Sequence, residues 1–584
     1  MKGRSFWKVL FLLFAFVLSS SAILAQKKFI YVDNGRLYNP DGKEVALWGV
    51  NFQPNLSWEY NSRIRRVGIP LEADALKKNA DEGFDEIQKM KAGVIRCHLT
   101  PADFTDENGN LVQTVYLDML DYMVSEAGKR GIYVYLAFLN HMNNGQVKNS
   151  FMNTCKRIDW IYNPDIVRCS QNYMKQLLER KNPYTGLTYK NDPTIAVWEL
   201  INEPSYFQYE EFVKSKYYDA FRKWLAQNTK EDSRESYLQY RKQLVKNYIN
   251  GMHDLIRSTG APQPVVWCCN WHKFYNGRQD VFEAVAESKA EVVSICNYPG
   301  QNECKQPYGE NPQDFLNYDF TSWFKDAYER KDWYGWLLEP GFMKKAKVVY
   351  EFETFYNMGS YLYPAMADLY RSLGVQMAAM WTYCFPSYAK LHSGSHFLSL
   401  TCTPRKAASF LVAGELFRST PLYSKFETNS PVEKATADFA YSYKNNLSAY
   451  SANGKYVHTG DMMNWNAIAP DPDLQEITGY GSSPLVSYNG TGIYFLKISG
   501  KEILLSIEPN SKWIVEPWQQ WRYRQPVTDL DYVTPHDFEL KLEKLNPAKC
   551  KVYRIENGNN IPVRLKENKI KFDAMPGEYL ITKK

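Results

Sequence analysis

Two glutamates end apolar runs 148 residues apart, and a pair of carboxyls so placed has the chemistry to break an acetal. The first run, Thr194 to Ile201, closes in Asn202-Glu203-Pro204, and the proline stops the strand. The second, Lys347-Val348-Val349-Tyr350, delivers Glu351, with Phe352 and Glu353 behind it. Acetal cleavage needs a proton for the departing oxygen and an anion facing the developing oxocarbenium centre. One acid must therefore be neutral while its neighbour is ionised. Apolar runs buried on both faces are strands of a parallel sheet, and in a β/α barrel the reacting groups sit at their C-terminal ends. A lone acid there also serves as a helix cap, so the second acid is what gives the first its meaning.

With both residues, the chain resembles the clan of β/α-barrel glycoside hydrolases whose acid/base follows strand four and whose nucleophile follows strand seven. Within that clan it is similar to glycoside hydrolase family 5, the cellulases and mannanases, over roughly residues 30 to 420. The resemblance implies a retaining double displacement on a β-linked polysaccharide or oligosaccharide of mannan or glucan type, with Glu203 as acid/base and Glu351 as nucleophile. It also implies that Arg96 and Tyr298 contact the nucleophile, that Asn202 binds the sugar 2-hydroxyl, and that Trp381 is the platform under the reacting sugar. His141, Trp271 and Tyr383 follow strands three, five and eight and are candidates for further substrate contacts. Cys296 stands where the family has the histidine of His-x-Tyr, which leaves subfamily and substrate open. Glu353 competes with Glu351, and the family pattern selects Glu351; Glu199 lies inside its strand. Two other readings are exo action on galactose-containing glycans and a glycan-binding protein on an inactive barrel.

These residues need a scaffold that brings strand ends together. Apolar runs at Val45 to Asn51, Gly93 to Leu99, Ile132 to Leu139, Thr194 to Ile201, Pro264 to Asn270, Val292 to Tyr298, Lys347 to Phe352 and Val375 to Tyr383 alternate with helical patterns. Eight such units predict a (β/α)8 TIM barrel over 26–420, preceded by a hairpin at Phe29 to Val32 and Arg36 to Tyr38. Insertions near 53–72, 140–165, 203–235 and 300–345, rich in Tyr, Trp, Asn and Pro, follow barrel strands and would build a substrate cleft. After about Pro421 short alternating strands broken by Gly, Asn and Pro predict an antiparallel β-sandwich over 421–584, with Trp513, Trp518 and Trp521 as possible sugar contacts.

Residues 1–25 have a basic start, the apolar run Val9 to Leu18 and a small-residue end, which predicts a signal peptide and a secreted or periplasmic protein. The formal charge is +6, of which Lys2, Arg4 and Lys8 belong to that leader, so no nucleic-acid partner is expected. No later segment has the 20 or so apolar residues of a membrane span. The 43 Tyr and 16 Trp favour a carbohydrate partner, since aromatic rings stack on sugar faces. The ten cysteines include no CxxC pair, and His392 and His396 lack neighbouring ligands, so no metal or cofactor is expected. Mostly free thiols are expected, with Cys155–Cys169 and Cys296–Cys304 as the possible bridges.

Overall fold

The computed structural model describes residues 28–140, 145–270, 277–299, 316, 318–321, 324–353, 357–391, 396–427, 433–463, 465–516 and 526–583. The leader, His141, Trp271, Cys304, His392, Trp518 and Trp521 lie outside the described residues.

A hairpin, β1 (Tyr31–Asp33) and β2 (Arg36–Tyr38), turns through Asn34 and Gly35, both at positive φ. Eight parallel strands follow: β3 (Leu47–Asn51), β4 (Val94–His98), β5 (Tyr133–Ala137), β6 (Ile195–Glu199), β7 (Val265–Cys268), β8 (Val292–Asn297), β9 (Ala346–Phe352) and β10 (Val375–Met380). They close in chain order, β10 pairing back onto β3. Apart from Leu47 and Tyr133, every residue of these strands is buried, as expected of strands covered on both faces. At Gly49 a Cβ would sit 1.8 Å from the Val94 carbonyl oxygen, so only glycine lets β3 and β4 pair there.

The hairpin closes the N-terminal end of the barrel. Gln376 on β10 accepts the Leu37 N–H at 2.6 Å and donates to the Leu37 carbonyl at 2.8 Å. Ile30, Leu37 and Val45 pack there with Val94, Val266, Val292 and Met377. The outer layer includes the helices Ala73–Lys89, Val115–Lys129, Pro164–Glu179, Arg234–Ser258, Leu362–Ser372 and Pro404–Ser419. Thr114, Asn163 and Ser233 cap three of them by accepting a first-turn N–H, which fixes where each begins.

The C-terminal region is a ten-stranded sheet, from Glu433–Ala435 to Gly577–Lys583, with a three-stranded sheet of Val486–Tyr488, His536–Leu540 and Ile570–Ala574. Val486, Leu505, Phe538, Phe572 and Ile581 form the core shared by the two sheets. It is not wholly antiparallel: Lys455–Thr459 and Glu476–Tyr480 run parallel, because the chain between them crosses over instead of turning back in a hairpin. Phe439, Tyr441, Tyr450 and Val457 join the core of the barrel. Ion pairs tie the same junction, Lys89–Glu508 at 2.6 Å, Lys455–Glu415 at 3.1 Å and Lys434–Asp368 at 2.6 Å.

All described cysteines are buried free thiols, so Cys155 and Cys169 are not bridged. Among the described residues no helix is long and apolar enough to cross a membrane, and no cluster of three metal-ligating side chains occurs.

Candidate active site

Arg96 organises the mouth of the barrel. It lies fully buried in the middle of β4, and register sets it beside Asn51 on β3 and Tyr135 on β5. Its Nη2 donates to Glu199 Oε1 at 2.6 Å and Asn202 Oδ1 at 2.8 Å. Its Nη1 donates to Glu351 Oε1 at 2.9 Å and Asn51 Oδ1 at 3.1 Å. The rings of Tyr135 and Tyr350 lie 5.3 and 4.8 Å from the guanidinium. A planar fork spanning two carboxylates is work for arginine, since lysine offers a single point charge. Glu199, which also accepts from Tyr135, is thereby a buried counter-charge for Arg96.

Glu351 is buried and multiply held. Besides Arg96, Tyr298 donates its hydroxyl to Oε2 at 2.7 Å, and His98 Nε2 lies 3.2 Å from Oε1. Burial raises its carboxyl, and Arg96 and Tyr298 oppose that rise by stabilising the anion. Burial and the Arg96 charge hold His98 well below the ordinary histidine value, so it is neutral. His98 Nε2 also lies 3.0 Å from Arg96 Nη1: with its hydrogen on Nδ1 the imidazole accepts from Arg96, and with it on Nε2 it donates to Glu351.

Glu203 sits four residues beyond the end of β6, at φ +50, a left-handed backbone that a glutamate rarely adopts. Tyr350 donates to its Oε1 at 3.1 Å, and Arg157 reaches its Oε2 at 3.5 Å and its carbonyl at 3.2 Å. Burial first, then the Glu351 charge, push Glu203 up to about 7, against the pull of Arg157. Of the two acids, Glu203 keeps its proton near neutrality while Glu351 has the cation and the donors. That is the division of labour a glycosidic acid/base and nucleophile require.

Both Tyr350 and Glu351 reach this mouth although they are consecutive. Between the pairs Ile295 with Val349 and Cys296 with Glu351, β9 carries one extra residue, Tyr350, and its carbonyl accepts from Asn51 Nδ2 at 2.9 Å. That bulge turns two neighbours toward one side, which strict alternation forbids. Glu353 lies past the strand end and is turned away, fully buried against Lys406 at 2.9 Å and Tyr363 at 2.5 Å. Of the two acids it is Glu351, not Glu353, that faces Arg96 at the mouth.

Asn202, Glu203, Tyr298, Glu351 and Arg96 lie together at this mouth. Trp381, half-buried after β10, stands edge-on to His98 at 5.1 Å, placing it beside Glu351's support. Tyr383 instead leaves the mouth and donates to Glu86 on the helix Ala73–Lys89, so its part is structural. His396 edges Tyr298 at 5.1 Å, and burial takes it down to about 3. Cys296 is fully buried. Sequence does not single out His98, Tyr350, Arg157 and Asn51, and it sets Glu199 aside as lying inside its strand. His98 had a signal, because it shares a face with Arg96 two residues earlier on one strand. Arg157 had none, being one basic residue in a long insertion.

Residues 28–247 match the family model of glycoside hydrolase family 5 β-mannosidase-like proteins. Mannan endo-1,4-β-mannosidase 2 of Arabidopsis thaliana is 30% identical over 188 residues, 29% of this chain and 40% of that protein. Mannan endo-1,4-β-mannosidase 5 of the same plant is 35% identical over 94 residues, 15% of this chain and 22% of that protein. The chain therefore spans less than half the length of these relatives. Among solved structures, the endo-1,4-β-mannanase from Rhizomucor miehei superposes with a TM-score of 0.45 at 15% identity, over 67% of this chain and 100% of that one. The matched stretch holds β3 to β6 with Arg96, Asn202 and Glu203. Over residues 28–247, then, this chain is similar to glycoside hydrolase family 5 proteins of the β-mannosidase-like type.

Proposed function

We propose that the protein is a retaining β-glycoside hydrolase acting on a mannan-type β-linked glycan. The observation that carries this reading is the asymmetry of the two acids: Glu203 raised to about 7 beside a Glu351 held by Arg96 and Tyr298. In the first step Glu351 bonds to the anomeric carbon while Glu203 gives its proton to the departing oxygen, breaking the glycosidic bond. In the second, Glu203 takes a proton from water, whose oxygen replaces Glu351 at the anomeric carbon. Asn202, held through Oδ1 by Arg96, would bind the neighbouring hydroxyl, and Trp381 would stack on the ring. The mannan preference rests on the names of the relatives. The leader at residues 1–25 supports export, where such a polymer is met.

Hydrolysis of an aryl β-glycoside panel, together with mannan and cellulose, tests both halves. Release from β-mannosides and shortening of mannan are the expected results. Activity confined to β-galactosides would shift the substrate class, and inactivity on every β-glycoside would contradict the reading. Double displacement also requires the carboxyls of Glu203 and Glu351 to stand about 5 to 5.5 Å apart, and a crystal structure with about 8 Å between them would indicate inversion.

A further inference from the structure

A cavity of about 290 Å³ opens at the junction of barrel and C-terminal sheet, lined by Met358, Thr403, Arg405, Tyr480, Ser511 and Trp513. Its size is at the lower end of small-molecule pockets, about 300 to 1,000 Å³. Glu203, Glu351 and Trp381 do not line it. Arg405 comes from the helix Pro404–Ser419, Tyr480 ends the strand Glu476–Tyr480, and Trp513 ends the strand Asn510–Trp513. Both architectures therefore contribute walls.

Arg405 is the unusual member. Its guanidinium lies 5.3 Å over the Tyr480 ring, and among the described residues no carboxylate or carbonyl pairs with it. Its chain neighbour Lys406, by contrast, is matched with Glu353 at 2.9 Å. A guanidinium half-buried, stacked and unpaired beside a cavity offers a fixed fork of donors to an anion from outside, and a planar carboxylate fits that fork in bidentate fashion. Tyr480 and Trp513 supply aromatic faces of the kind that stack on the C–H face of a pyranose. The Ser511 hydroxyl donates to the Cys402 carbonyl at 3.2 Å and keeps lone pairs for a sugar hydroxyl. An unpaired cation and aromatic walls together select a sugar that carries its own carboxylate.

We propose that this junction pocket is a second carbohydrate site that holds a uronic acid unit, its carboxylate on Arg405 and its ring against Trp513. It does not depend on hydrolysis at the barrel mouth, because binding is measured directly and the site is built from other residues. Through it the enzyme would hold an acidic branch or neighbouring acidic chain while the barrel acts on a neutral one.

The test is calorimetric or NMR titration of the full chain with trigalacturonate and with its methyl ester, which keeps the rings and removes the charges. The acid is expected to bind at least tenfold more tightly than the ester. Arg405→Gln, which removes the charge and keeps a hydrogen-bonding amide, should abolish that difference, and Trp513→Ala should weaken both ligands. Arg405→Lys, keeping the charge without the fork, should bind in between. Unaltered thermal unfolding and unaltered turnover of an aryl glycoside by Arg405→Gln show that the barrel is intact. Equal binding of acid and ester, wild-type binding by Arg405→Gln, or no binding of the acid would each overturn the proposal. A chain that binds the acid yet hydrolyses no β-glycoside would overturn the proposed hydrolase and leave this site standing.

Discussion

Glu203 carries two roles that conflict with stability, and pH exposes the conflict. Its carboxyl is raised to about 7 from an ordinary 4.5, so the buried acid contributes most while protonated and its contribution is lost as pH rises through the folded value. Glu203→Gln should therefore be more stable than wild type by about 1–3 kcal/mol at about pH 8 and equal to it at about pH 4.5, read by thermal unfolding. The same titration should set the alkaline limb of kcat/KM near the value to which Glu203 is raised, and that limb should vanish in the Gln variant with an activated leaving group. His98 makes a second residue-scale case. If its Nε2–H holds Glu351, then His98→Gln, with a donor at a similar reach, should retain far more kcat than His98→Ala, with KM little changed in either. Equal loss in the two variants would mean that ring packing against Trp381 is what matters.

At the scale of elements, four strands meet through one side chain. Arg96 on β4 spans Glu199 on β6 and Glu351 on β9 and accepts orientation from Asn51 on β3. Arg96→Met would leave buried carboxylates without their cation, a change that typically costs about 3–5 kcal/mol, and denaturant unfolding should register it. Arg96→Lys should keep more stability yet lose most activity, because a single ammonium cannot hold both acids in register. Much of this was legible beforehand: each apolar run became a barrel strand, and Asn-Glu-Pro and Tyr-Glu-Phe marked two strand ends. What was hidden depends on departures from periodicity. The bulge at Tyr350 brings consecutive residues to one side, and Glu353 is turned to Lys406 by the end of the strand. Arg157 and Tyr383 were unreadable for the same reason, since loops set their side chains by tertiary contact.

The whole molecule is less divisible than its two sequence patterns suggest. Phe439, Tyr441, Tyr450 and Val457 share the barrel's core, and Tyr441 and Lys434 both bond Asp368 on the helix Leu362–Ser372. Barrel and sheet should consequently unfold in one calorimetric transition. Chain ending near residue 420 should be strongly destabilised or insoluble, because it exposes that apolar face and strands Asp368 without its partners. Two well-separated transitions, or a truncated barrel as stable as the full chain, would show instead that the sheet is an independent appendage. The covalent intermediate is where the account meets its most direct test. With Glu203→Gln and an activated 2-deoxy-2-fluoro β-mannoside, the glycosyl-enzyme should accumulate, and peptide mass mapping should find the sugar on Glu351. Attachment to Glu353 or any other residue, or turnover of natural glycosides by that variant at wild-type rate, would contradict the account.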